Sequence, residues 1–419
     1  MKPTETGNKW YKWEVLLLLW MAYLVNQGDR QVFNTVLPAV RDALSLTDTS
    51  VGLIATIFNL FYAAMVPIGG WAGDRFSRKW VVTVSILFWS VATMFTGLAT
   101  SFIWLLILRS VATGGGEAFF GPANYSLLGQ YHTKTRALAM SIHQTAYYIG
   151  VIIAGWLAGL IADKMGWQYS FLIFGAVGIV WGVIMILRLR DKHELPSEKP
   201  EEALQGKPGF FDGFKTVFST PTALMLTMGF SGLIFVITGY MTWVPAYLQE
   251  EFSQSQATAG FNSMFWTYVA AFVGVLLSGS FSDKIALRSP KGRMILQALG
   301  LLGGAVFLFF MGGHPSLVLL YICFAGWGFF RAFFDANTYA ILYDVTPRRL
   351  HASCSSAMIM TGFAVGAFAP LALGYLKESM GSLSGTFPIL AAIWVVCGLL
   401  MIGVAMTSYK KDYEKNMGR

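Results

Sequence analysis

Residues 108–131 read LRSVATGGGEAFFGPANYSLLGQY, and the fold turns on how that stretch is taken. Its length and apolar content suit a helix that crosses a bilayer, yet it carries Arg109 and Glu117. An ionisable side chain at membrane depth costs roughly 3 kcal/mol or more, so it normally faces a polar chamber or a partner. The stretch has an echo 214 positions later: Glu117-Ala118-Phe119-Phe120 lines up with Arg331-Ala332-Phe333-Phe334, and Tyr125 with Tyr339. The chain thus reads as two related halves with opposite charges at the same place in each. That arrangement points to a transporter.

Composition agrees with membrane residence. Of 419 residues, 55% are hydrophobic and only 12% charged, where a soluble chain carries about a quarter charged. Aromatic residues make up 15%, many near the ends of apolar runs, where amphipathic rings favour the interface. The fold class is therefore an all-α membrane protein. The net charge of +8 does not indicate nucleic acid, because the basic residues sit in short loops between apolar runs. Cys323, Cys354 and Cys397 fit no metal-ligand spacing and give no disulfide framework. The apolar run from Trp13 is too long for a cleaved signal peptide and continues through Asp29-Arg30. There is no nucleophile elbow, metal-spaced His or Cys set, or nucleotide-binding loop. Gly114-Gly115-Gly116 is not followed by a Lys-Ser/Thr pair and follows no strand. The sequence predicts no enzyme, cofactor or metal, and an ion gradient rather than ATP as the energy source.

A span needs about 20 apolar residues, and twelve candidates are found. In the first half they lie near 13–36, 50–73, 80–99, 102–128, 136–162 and 168–188. In the second they lie near 221–248, 259–281, 293–312, 315–342, 352–376 and 384–408. The expected architecture is two pseudo-symmetric six-helix bundles, 1–188 and 219–419, joined by a polar cytoplasmic linker, 189–218, with a short surface helix at 210–218. Only Arg41, Lys164 and Lys377 fall in the loops of one side, and Arg30, Arg109 and Arg331 fall inside spans; the rest of the 30 Lys and Arg lie on the side of the termini. Both termini are therefore expected in the cytoplasm. A second point of internal register pairs Gly70-Trp71-Ala72-Gly73-Asp74-Arg75 with Gly279-Ser280-Phe281-Ser282-Asp283-Lys284.

The loop Gly70-Trp71-Ala72-Gly73-Asp74-Arg75-Phe76-Ser77-Arg78-Lys79 resembles the signature that the major facilitator superfamily carries between its second and third spans. Ser77 stands where a glycine is usual. The resemblance covers nearly the whole chain. It implies a cytoplasmic gate formed by Asp74 and Arg75, with Gly70 and Arg78 in the same motif. Asp29-Arg30 and Gly116-Glu117-Ala118, the latter preceded by an Arg, look like two groups within it. One is the anion:cation symporters, which move sugar acids and other organic anions; the other is the Spinster-like group, linked to lysolipids and sphingoid phosphates. The resemblance implies proton carriage by Asp29 and Glu117 and anion binding by Arg30. It extends to Arg109 less directly. The groups separate this Arg from the Glu by seven residues, and here the interval is eight. At about 100° per residue, seven steps return to one face and eight rotate past it by about 80°. Either a kink or π-bulge near the glycine triplet absorbs the offset, or Arg109 lies apart from Glu117.

The remaining candidates come from the residues themselves. Asp29 and Arg30 are adjacent, so their side chains diverge by about 100° and reach different neighbours. The repeat suggests that Glu117 and Arg331 approach in one conformation and separate when Glu117 is protonated or an anion takes its place. Alternatively Arg331 pairs with Asp335, one turn on; Asp335 joins the conformational residues on this ground. In the fifth span, His143 and Tyr147 are at i,i+4 and can line a cavity together, with Gln144 beside them. Tyr62 and Asn337 complete the expected substrate-binding set of Arg30, Arg109, Arg331, His143, Gln144 and Tyr147. The sequence thus predicts a monomeric, proton-coupled symporter of a small organic anion in the inner (plasma) membrane, working by alternating access. Its partners are the anion, protons and the lipid bilayer. A Spinster-like carrier of lysophospholipid or another amphiphile, and a non-transporting membrane sensor, are the alternatives.

Overall fold

The computed structural model describes residues 10–132, 136–190, 211–289, 291–347 and 350–416. Inside those helices the side chains of Gly70, Trp71, Asp74, Arg75 and Gln144 lie outside the described set. The described residues are helical, with no strand among them. They fall into two compact units: Met1–Pro196 with Leu248–Phe261, and Ser197–Tyr247 with Asn262–Arg419. Among the described residues, eleven helices are long and apolar enough to cross a bilayer. The first helix, Tyr11–Ala43, spans 33 residues, or about 50 Å, and is not among the eleven. It carries Asn26, Gln27, Asp29, Arg30 and Gln31 in its middle, and all but Arg30 of these are buried. The helix is thus polar where it faces protein, which is what lowers its hydropathy.

The first unit continues with Asp48–Arg75, Arg78–Thr96, Phe102–Tyr131, Arg136–Met165 and Trp167–Arg188. Thr47 and Ser101 start the second and fourth spans by accepting the N–H of Ser50 and Trp104. Ser77 does the same for the third span, with the Trp80 N–H at 3.4 Å. Its φ of −55° lies where any residue is at ease, so the glycine usual in the superfamily motif is not needed. The third span has two faces: Val84, Phe88, Val91 and Phe95 are exposed, while Val82, Ile86, Trp89 and Thr93 are buried. The first set suits lipid tails and the second suits protein.

The fourth span is not a uniform helix. It is α-helical over Phe102–Leu105, a π-helix over Leu106–Thr113, and α-helical again from Gly114 to Tyr131. Two glycines let its neighbours close on the segment around Glu117. A Cβ on Gly69 of the second span would lie 2.6 Å from the Ala118 carbonyl oxygen. One on Gly116 would lie 2.7 Å from the Phe88 ring and 3.1 Å from the Trp89 Cβ of the third span. Ser85 adds a hydrogen bond to the Gly116 carbonyl at 2.5 Å.

Leu248–Phe261 belongs to the first unit through specific contacts. Arg41 pairs with Asp42, Asp48 and Glu250 at 3.0, 2.9 and 2.7 Å. Gln249 donates to the Thr35 carbonyl at 2.8 Å. The Asp163 carboxylate accepts the N–H groups of Gln256 and Ala257 at 3.1 and 3.0 Å, stabilising the positive end of the helix that starts there.

At the other end of this unit, Tyr11 donates to the Arg188 carbonyl at 3.0 Å and accepts the Arg190 N–H at 2.7 Å. His132, which ends the fourth span, donates from Nε2 to the Lys12 carbonyl at 2.7 Å and packs edge-on against Trp13. Burial, reinforced by the Lys12 charge and opposed by that hydrogen bond, holds the His132 imidazole below its usual range. Well above pH about 6.5 the ring is neutral in both folded and unfolded chain and adds no pH dependence. Below that, the unfolded chain binds the proton first, so folded stability falls with falling pH until the lower folded value is passed. His132→Gln is therefore expected to lose less stability than wild type between about pH 7.5 and about pH 5.5. Thermal unfolding of the purified proteins at both values checks this; equal losses would rule it out.

The second unit holds Asp212–Ser219, Pro221–Phe252 up to Tyr247, Gln256–Arg288 from Asn262, Gly292–Met311 and Leu317–Asp335, the last continuing after a turn as Thr338–Val345. His351–Gly366, Ala369–Met380, Phe387–Thr407 and Tyr409–Asn416 complete it. The helix expected at 210–218 is Asp212–Ser219. It is more than a surface element: Val217 is fully buried and the Gly213 carbonyl receives the Cys354 thiol at 3.9 Å. Most of the expected linker, 191–210, lies outside the described residues. The last helix is pinned by Asp412, which accepts the Thr222 N–H at 3.0 Å and its hydroxyl at 2.7 Å.

Candidate functional site

The polar middle of the first helix meets the charged part of the fourth span inside the first unit. Asp29 and Arg30 part as adjacent helical positions must. Asp29 is fully buried and its Oδ2 accepts the indole N–H of Trp89, on the third span, at 2.7 Å. Arg30 reaches the fourth span, where its Nε lies 2.5 Å from Glu117 Oε2. The Glu117 side chain is fully enclosed while that of Arg30 keeps 24% of its surface exposed. The pair therefore has an enclosed acid and an approachable base. Arg30 is further set on aromatic faces, with its guanidinium 4.4 Å from the Tyr62 ring centre and 5.6 Å from that of Phe58, a placement that favours a cation in a medium with little water.

Arg109 joins the same cluster. Its Nη2 donates to the Arg30 backbone carbonyl at 3.1 Å and its guanidinium lies 4.4 Å from Phe58 and 5.4 Å from Phe33. The π-helix explains how. An i→i+5 pattern fits an extra residue into a turn, and Arg109 sits within the π segment while Glu117 follows it. The eight-residue interval is thereby absorbed and both charges address Arg30.

A second group lies beside the first. His143 is fully buried. It stacks on Tyr23 at 4.8 Å and 7° and shares a 2.9 Å hydrogen bond between Nε2 and Asn124 Nδ2. Tyr125 and Tyr147 pack around Tyr23 at 6.3 Å each. Tyr23 precedes Arg30 by seven residues, so the two share a face of the first helix. In the second unit, Arg331 is buried, lies 3.3 Å from Asp335, and faces the rings of Tyr268 and Trp327 at 5.3 and 5.6 Å. Asn337 is taken up in packing: its Nδ2 donates to the Phe333 carbonyl at 2.9 Å and to Ser278 at 3.3 Å, and its Oδ1 accepts from Ser282.

Of the residues singled out from sequence, Asp29, Arg30, Arg109, Glu117 and Tyr62 are thus brought into one cluster, with His143 and Tyr147 in the adjoining group. Arg331 pairs with Asp335 in the other unit. The side chains of Gln144, Asp74 and Arg75, and Gly70 with them, fall outside the described residues. Arg78 is described, and its Nε donates to the Gly73 carbonyl at 3.3 Å. Sequence reasoning missed Trp89, Tyr23 and Phe58. Trp89 had left a trace, since a tryptophan far from both ends of a span needs an acceptor for its N–H. Among the described residues no group of His, Cys, Asp and Glu is placed to hold a metal.

The sequence profile of the Major Facilitator Superfamily matches residues 19–370. The chain belongs to that superfamily. Its members are transporters, so the chain is a transporter and not an enzyme. Among curated members, it is 25% identical to the hexuronate transporter of Bacillus subtilis (strain 168), over 93% of this chain and 94% of that one. It is 23% identical to protein spinster homolog 1 of Xenopus laevis, over 88% of this chain and 74% of the other. Among solved superfamily structures, a bacterial homologue of the human lysosomal transporter Spinster, crystallised inward-facing and unoccupied, superposes with a TM-score of 0.79 at 24% identity, covering 98% of this chain and 99% of that one. At that identity the likeness concerns the fold, and it supports the twelve-helix superfamily architecture, with the polar first helix as the span that hydropathy alone passes over.

Proposed function

We propose that the chain is a proton-coupled symporter of a small organic anion, a sugar acid or related carboxylate, working by alternating access. The observation that carries this reading is the Arg30–Glu117 pair: a half-open cation whose charge is balanced by an enclosed acid. A proton on Glu117 removes the negative partner and leaves Arg30 free to take a carboxylate on its exposed side. Loss of the proton restores the pair and releases the anion. Asp29 is a second carboxyl at the same depth, and Arg109 braces the helix turn that presents Arg30. Tyr62, Tyr147 and His143 offer ring faces and polar atoms to the rest of the substrate. Arg331, with Asp335, supplies a cation from the second unit. The halves that move are 1–188 and 219–419, joined by 189–218, with Gly70, Asp74, Arg75 and Arg78 at the cytoplasmic gate, both termini in the cytoplasm, and the monomer as the working unit in the inner (plasma) membrane. The similarity to a hexuronate transporter supports the choice of cargo.

Proteoliposomes decide the matter. A panel of uronates and other carboxylates is tested for counterflow, then for uptake under an inward proton gradient. Counterflow together with acid-stimulated uptake is expected. Counterflow with no response to the gradient sinks the coupling, and its absence for every acid sinks the cargo. The similarity to a spinster homologue keeps a second reading, an amphiphile carrier; lysophospholipids that compete where uronates do not would favour it.

A further inference from the structure

Trp89 and Asp29 form a closed contact that the proposed cycle does not yet use. The Asp29 carboxyl is fully buried. Its Oδ2 accepts the Trp89 N–H at 2.7 Å, while its Oδ1 has no hydrogen-bond partner among the described residues. An indole nitrogen donates and cannot accept. Trp89 is itself fully buried, its ring meets Phe120 edge-on at 5.2 Å, and its Cβ packs so close to the fourth span that a Cβ on Gly116 would come within 3.1 Å of it. Its ring therefore cannot easily turn away. The charged groups that bear on Asp29 from the fourth span are Glu117 and Arg109. Arg30 lies on its own helix and the fifth span brings His143, while the third and sixth spans have no charged side chain between Val81 and Thr96 or between Phe171 and Leu187.

We propose that Trp89 is the positioning residue of Asp29: by holding Oδ2 as an acceptor in every state, it directs the incoming proton to Oδ1. Loading forms one O–H bond at Oδ1 with a proton taken from water, and the carboxylate charge is neutralised. Unloading breaks that bond and returns the proton to water. The Trp89–Oδ2 hydrogen bond persists through both, so the acid does not have to reorient inside the helix bundle. The purpose of this device rests on the proton-coupled reading above; its test does not.

The test is an acid-minus-neutral infrared difference spectrum of the purified full-length protein in lipid nanodiscs. A protonated-carboxyl C=O band belonging to Asp29 is identified by its loss in Asp29→Asn. In Trp89→Phe, which keeps a ring but removes the N–H, that band is expected to move to higher frequency. Its titration midpoint should rise, by less than the roughly tenfold that a whole hydrogen bond to a charged group is worth, because the neutral acid also keeps the bond in a weaker form. Trp243→Phe, which removes an indole bonded to the Pro370 carbonyl in the second unit, should leave both unmoved. A band that stays in place in Trp89→Phe overturns the proposal. Should that variant not fold, nitrogen-15 labelling of the indoles in the intact protein tests the same contact. One N–H resonance must move on acidification and stop moving in Asp29→Asn; no such resonance overturns it. If no acid-stimulated transport exists at all, the symport reading fails while these signals still report the pair.

Discussion

Glu117→Gln is expected to abolish accumulation against a gradient while leaving exchange of substrate intact. A difference of one pH unit stores enough free energy to concentrate a cargo about tenfold for each proton carried. Glutamine keeps the shape and can still touch Arg30, but it neither binds nor releases a proton. The internal-to-external ratio should therefore fall to about one, whatever the imposed gradient, if Glu117 is the coupling group. Counterflow needs only binding and reorientation, and Arg30 no longer faces a competing negative charge, so exchange should continue. Measuring both in one batch of proteoliposomes separates uncoupling from inactivation. Accumulation that survives the substitution would show that the coupling proton rides elsewhere.

Arg30→Ala should be the more damaging change, because two losses coincide. Removing one member of an enclosed ion pair strands the other, which typically costs about 3–5 kcal/mol. Binding should also suffer: truncating a charged partner costs on the order of 2–5 kcal/mol, or roughly 30-fold to several thousandfold in affinity. Lysine should not restore function, since its compact ammonium lacks the planar face that lies over Tyr62. The pairing Arg30→Ala with Glu117→Gln divides the two effects. With both charges gone the penalty of the stranded acid disappears, so the unfolding temperature should recover much of the loss while anion binding does not. Thermal unfolding and ligand-induced stabilisation of the three variants check this. A double variant no more stable than Arg30→Ala would mean that the pair does not act as a unit.

Much of this was open to reading before any coordinates. Long apolar runs and one-sided basic loops gave the helical membrane fold. The cost of burying charge picked out Asp29, Arg30, Arg109 and Glu117. What linear order could not supply was which helix meets which. Repeat register set Glu117 beside Arg331 as a switching pair; in the structure each has a partner within its own unit, Arg30 and Asp335. Trp89 looked like one more aromatic residue because its acceptor lies 60 positions away on another helix. The first helix is one of the twelve spans legible in the sequence, although a hydropathy window scores it low because Asn26, Gln27, Asp29, Arg30 and Gln31 sit at its middle. All but Arg30 of these are buried, which a window average cannot see. Asn337 shows the reverse case, a polar residue whose side chain is taken up in holding the eighth and tenth spans together.

The wide turn at Leu106–Thr113 also bears on how this span tolerates change in length. Dropping a residue from a regular helix swings everything beyond it by about 100°, which would carry the acid away from its base. Here one residue is already surplus to the regular pitch. Deleting Ala112 would let the widened ladder relax to the ordinary pattern with Arg109 and Glu117 seven apart and still on one side. A one-residue deletion within this wide turn is thus expected to leave the site assembled, so the span carries its own slack against a change in length.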